Sequence, residues 1–236
     1  MNREIPYQRA PQRERVAEVQ SEFIRRVYNW MGIGLATTAI VAMFTASSPT
    51  LINLIFGTPM VFFILIIGQL GLVIALSAAI NRLQASTASL MFFLYSALTG
   101  LTLSAIFLAY TQASIASTFF ITAGTFAAMS IYGYTTKRDL TSWGSFLFMG
   151  LIGIILASVV NMFMRSEAIY WVVTYGGILV FVGLTAYDSQ KIKQMAAQGF
   201  GDAEMERKGA VIGALRLYLD FINLFLLLLR LFGRRR

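Results

Sequence analysis

The chain has 236 residues, of which 57% are hydrophobic, 14% aromatic and only 13% charged; its formal net charge is +8, and it contains neither Cys nor His. Soluble domains carry charge on about a quarter of their residues, so the expected solvent is the bilayer. The missing residue types exclude thiolate zinc sites, iron–sulfur clusters, haem held by His or thiolate, and His-dependent triads, leaving hard cations on oxygen ligands as the only metal chemistry.

Residues 1–26 are polar and of mixed charge. They are too long and too acidic for the basic region of a signal peptide, so the first apolar run is expected to stay in the protein and residues 1–26 to form a cytoplasmic tail. Seven apolar runs follow, at 27–46, 60–80, 88–110, 115–134, 143–164, 168–187 and 210–229. Each has about the 20 residues that a helix needs to cross the hydrocarbon. The expectation is an all-α membrane protein, with a seven-helix domain over 27–232 and a basic tail at 233–236. The longest expected loop covers 188–209.

Arg25, Arg26, Arg82, Lys137, Arg138, Lys191 and Lys193 fall on one side of this layout, and the opposite loops hold only Arg165. Positive loops mark the cytoplasmic face. The basic residues therefore answer to lipid and topology; they build no folded basic face, so nucleic acid is not an expected partner. Arg234, Arg235 and Arg236 dissent, because seven crossings put them on the far side. The alternative is a last segment that enters and returns without crossing. Seven crossings is the preferred reading. Within the spans, Gly32 with Gly34, Gly68 with Gly71, Gly150 with Gly153 and Gly176 with Gly177 suit close helix packing.

Two acids stand apart from the solvated ones. Asp220 lies near the middle of the last run, where an ionised carboxylate costs at least about 2.5–3.5 kcal/mol. Asp188 ends the sixth run, at or just inside the cytoplasmic boundary. Arg216, Asp220 and Asn223 share one face of the seventh helix at i, i+4 and i+7. Thr185 sits one turn before Asp188, and Thr118, Thr122 and Thr125 form another hydroxyl stripe. These groups either line a polar path or bond their own helix backbone. Two adjacent carboxylates share a proton and titrate as a unit, and once ionised they are candidate ligands for a cation such as calcium. Depth opposes the pairing, since Asp220 lies roughly 15 Å along the helix from Ala210. It closes only if the seventh helix starts below the interface or the sixth is drawn inward.

The segments GLTAYDSQKIK and LYLDFINLFLLLLRLFG, with SALTGLTLS and YGYTTKRDLTSWG in support, resemble the Bax inhibitor (transmembrane Bax inhibitor motif) family, most closely its bacterial inner-membrane branch. The resemblance covers nearly the whole chain from Arg25. It implies six helices surrounding the seventh, a pH-sensitive calcium leak in the cell inner membrane, and a hydrogen-bonded Asp188–Asp220 dyad that senses pH. It also implies an arginine latch on Asp188, for which Arg82 is the candidate. Gln69 and Arg216 depart from the family pattern. A fixed charge at Arg216 would favour ionised aspartates and oppose a divalent cation.

The leading functional expectation is a leak or transporter moving calcium or protons, with no cofactor. Its rival is a regulatory protein that binds other membrane proteins through the N-terminal 26 residues and the charged segment around Glu204, Glu206 and Arg207. An enzyme is disfavoured: neither aspartate has the neighbouring Gly expected of an intramembrane aspartyl protease, and no phosphate-binding glycine loop is present.

Overall fold

The computed structural model describes the backbone of residues 9–236 and the side chains from Glu18 onward. Nine helices run through these residues: α1 (Arg9–Ala46), α2 (Pro49–Phe56), α3 (Pro59–Ala79), α4 (Ala85–Leu103), α5 (Ala105–Ala109), α6 (Gln112–Thr135), α7 (Thr141–Met164), α8 (Glu167–Gln198) and α9 (Ala203–Phe232). Seven segments are long and apolar enough to cross a membrane, α4 and α5 together forming one of them. The break between those two falls at Ser104, where the hydroxyls of Thr102 and Ser104 donate to the carbonyls of Thr99 and Leu101. Such i−3 bonds compete with the helix ladder and bend it.

Helix starts follow capping chemistry. Ser48, Thr111, Ser166 and Asp202 accept from the backbone N–H three residues on, at the heads of α2, α6, α8 and α9. Each satisfies one of the donors that a helix N-terminus leaves open.

Burial is concentrated on α9. Its apolar window is 67% buried, against 6% for α7 and 11% for α3. Helices α1, α4, α6 and α8 pack directly around it, while α3 stands mainly against α4 and α7 against α8. Phe120, Phe163 and Leu179 face outward at more than 70% exposure, the apolar surface that a membrane-spanning helix presents to its surroundings. The expected bundle around the C-terminal helix is present, in two shells.

Two expected boundaries move. The described part of the N-terminal stretch, from Arg9, is continuous helix with α1, and the first candidate span begins at Glu18; residues 1–8 lie outside the described residues. The expected 188–209 loop is mostly helix, because α8 runs to Gln198 and α9 starts at Ala203. Only residues 199–202 connect them, turning at Gly199 with φ +72°. Finally, the last helix does not turn back. At 30 residues it is about 45 Å long, and the tail beyond it docks on the α5–α6 turn. There Thr111 N–H donates to the Arg234 carbonyl and Arg236 N–H to the Ala109 carbonyl.

One member of each of three glycine pairs makes the close approach. An added Cβ would collide with Phe92 at Gly34, crowd Val180 at Gly150 and collide with Leu227 at Gly177, whereas Gly32, Gly153 and Gly176 face open space, as do both Gly68 and Gly71.

Candidate functional site

Helices α8 and α9 run antiparallel, and two contacts set their register: Gly213 meets Ile192, and Gly177 meets Leu227. Asp188 is thereby level with Arg216, and Asp220 lies one turn further along α9. Cβ bonds tilt toward a helix's own N-terminus. On antiparallel helices Asp188 therefore leans toward the level of Asp220 and Asp220 toward that of Asp188, which closes the gap. The two carboxyls come close together where α8 meets α9, on the lining of one groove. The depth conflict disappears because α8 continues ten residues past Asp188, carrying that residue well inside the bundle.

Both acids are buried, at 9% and 4% exposure. Asp220 Oδ2 has no hydrogen-bond partner among the described residues. Arg216 is half-exposed and places Nη1 3.5 Å from Asp188 Oδ1. If both aspartates were ionised neither could donate to the other, so a bond between them requires a proton on one.

These groups sit on one wall of a groove of about 870 Å³ between α7, α8 and α9. On α9 its lining follows a single helical face through Arg216, Asp220, Asn223 and Arg230. The half nearer the start of α9 is polar, with Ser145 of α7 and Asp188 of α8 joining that face. The outer half is walled by Leu151, Ile155, Val159 and Leu226. A groove that exposes Arg216 and passes two buried acids provides room for water and a small cation beside the carboxylates. Two carboxylates supply only part of the six to eight oxygens that calcium takes. The remainder would be water.

Of the other sequence candidates, Asn223 lines the groove and donates to its own helix at the Leu219 carbonyl, 2.8 Å away. Thr185 is fully buried and spends its hydroxyl on Phe181 O. Thr122 bonds the Thr118 carbonyl and Thr125 the Ile121 carbonyl, while the buried Thr118 hydroxyl has no partner among the described residues. Arg82 is exposed in the α3–α4 turn and forms no ion pair among the described residues; the guanidinium beside Asp188 is that of Arg216. Glu204 and Glu206 are engaged within the chain, Glu204 on the Ala85 N–H and Glu206 3.2 Å from Arg26.

Sequence reasoning missed the polar ties that hold the inner end of α8. Gln190 accepts from Leu140 N–H and donates to the Arg138 carbonyl, both at 2.8 Å, and Ser189 donates to Ser130. The signal was present in the run from Ser189 to Gln198, which has no Gly or Pro to stop a helix.

Residues 20–236 match the family model described as inhibitor of apoptosis-promoting Bax1. The chain is 58% identical over 215 residues to inner membrane protein YbhL of Escherichia coli K12, covering 91% of this chain and 92% of that one. It is 50% identical over 218 residues to a protein of Borreliella burgdorferi, with 92% and 94% covered, and 44% identical over 214 residues to protein RP147 of Rickettsia prowazekii, with 91% and 90% covered. With seven candidate spans and these relatives, the chain is a multi-pass inner-membrane protein that belongs to the Bax inhibitor family.

Proposed function

We propose that the protein is a pH-sensitive cation leak or transporter, with calcium as the ion it passes and the Asp188–Asp220 pair as its gate. The observation that carries this reading is the pair itself: two buried carboxyls close together on the wall of a groove along α9. Holding one proton, the pair is hydrogen-bonded and carries one negative charge beside Arg216. Losing that proton breaks the bond and puts two negative charges together, which attracts a divalent cation and drives the carboxyls apart. Opening is thus coupled to proton loss at the atoms that would bind the ion.

The test is calcium entry into liposomes containing the purified protein, followed with an internal indicator across a pH series. Asp220→Asn keeps the size and a hydrogen bond to Asp188 but cannot ionise, so the pH response is expected to vanish. A full response in that variant would sink the model. Imposing a proton gradient separates the two forms of the proposal, because an exchanger responds to it and a passive leak does not.

A further inference from the structure

The basic tail that breaks the charge rule stands at the outer end of the α7–α8–α9 groove. There a second cavity, of about 310 Å³, is lined by Arg230, Arg235, Asn161, Tyr110 and Tyr170, with no carboxylate in its wall. Neither arginine makes an ion pair among the described residues. Arg230 lies over the Tyr170 ring at 5.9 Å from its centroid. Arg235 is fixed by its backbone pairing with Tyr110 and lines the cavity together with the Tyr110 and Tyr170 side chains. Asn161 spends its carbonyl oxygen on Ser166 N–H at 2.7 Å, which leaves its amide N–H groups for the cavity. The wall therefore offers donors and positive charge and wants an acceptor-rich anion.

The cavity is continuous with the outer, apolar half of the long groove, the two sharing Ser158, Val173 and Arg230. Helix α7 packs chiefly on α8, so the groove opens sideways to lipid between α7 and α9. A cationic head pocket at the membrane surface that leads into an apolar trough has the shape of a phospholipid. A solitary arginine reaching up to the interface would need neither a second guanidinium nor the trough. We infer that this is a binding site for an anionic phospholipid of the outer leaflet, its phosphate on Arg230 and Arg235 and one acyl chain along Ile155, Val159 and Leu226. Binding there is independent of whether ions cross the protein.

The experiment is native mass spectrometry of the full-length protein after delipidation and titration with phosphatidylglycerol or phosphatidylcholine. Phosphatidylglycerol should bind at least about tenfold more tightly, with a similar loss in the Arg230→Gln/Arg235→Gln double variant, since each charge-assisted bond is of that order. Arg236→Gln, which removes an arginine outside the cavity, should bind as the parent does. Ile155→Trp, which fills the trough and leaves both guanidinium groups, should also weaken retention. Equal binding of the two lipids, or an unchanged double variant, overturns the site. So does tight binding of inorganic phosphate alone with no loss in Ile155→Trp, which would make it a small-anion pocket. Parental unfolding midpoints for the variants keep a lost signal from being read as a lost fold.

Discussion

Arg216 reaches Asp188 across the helix interface, 3.5 Å away, although Asp220 is its neighbour one turn along the same helix. Register explains the choice. Arg216 is level with Asp188, and its Cβ tilts toward the start of α9, away from Asp220. The fixed charge therefore acts on the pair through the acid on α8. It biases the groove against a divalent cation by placing a positive charge beside that acid, screened in part because Arg216 is half-exposed.

Arg216→Gln removes this bias while keeping a polar side chain in the groove. If calcium passes beside the pair as proposed, it meets less repulsion without the guanidinium, so calcium entry at a given pH should rise about fivefold. Unchanged entry would show that Arg216 is fully screened.

The close approach of α6 to α8 is testable next to the site. A Cβ at Gly133 would fall within 3 Å of the Ala186 backbone, two residues before Asp188. Backbone cannot move aside as a side-chain tip can, so Gly133→Ala should destabilise by about 1–3 kcal/mol in denaturant unfolding. Gly32→Ala meets nothing within 4 Å and should be neutral or stabilising. Equal losses in the two variants would refute the packing.

The seven spans were legible because each crossing demands an uninterrupted apolar run, and hydropathy detects such runs directly. The end of α8 beyond Asp188 was not, because the Ser189–Gln198 turns are polar and hydropathy carries no signal there. Punctuation would have marked both ends of the connection: Gly199, whose φ of +72° suits glycine, and Asp202, which caps α9. Missing that extension created the apparent depth conflict between Asp188 and Asp220. The periodicity of Arg216, Asp220 and Asn223 placed all three on the groove wall, but one helix's periodicity cannot say which acid Arg216 meets. That depends on register with α8, a tertiary property. The cationic cavity was hidden for the same reason, since Tyr110 and Arg235 are far in sequence from each other and from Asn161 and Tyr170.

Helix α4 begins without help from its own N-cap residue, because Gln84 makes no side-chain capping bond. Glu204 at the start of α9 supplies the acceptor for Ala85 N–H. Glu204→Ala should cost about 1 kcal/mol and speed hydrogen exchange at residues 85–88 about fivefold. Glu204→Gln retains an acceptor oxygen and should lie nearer the parent. Exchange in the first turn of α4 that ignores both substitutions would refute the cap.

The course of the last helix predicts the side on which the basic tail emerges. A crossing α9 carries Arg236 to the outer face with the α5–α6 turn, while Lys193 stays at the opposite end beside Tyr134. The chain has no Cys, so single substitutions report without background. In intact spheroplasts an impermeant maleimide should label Arg236→Cys and spare Lys193→Cys until the membrane is opened. The tail's three arginines then stand against the positive-inside bias, which weighs Lys and Arg over the whole chain and is already set by the inner loops. Protection of Arg236→Cys in intact cells, with labelling after lysis, would mean that the last segment returns to the cytoplasmic face, and would remove both the continuous α9 wall and the outer cavity.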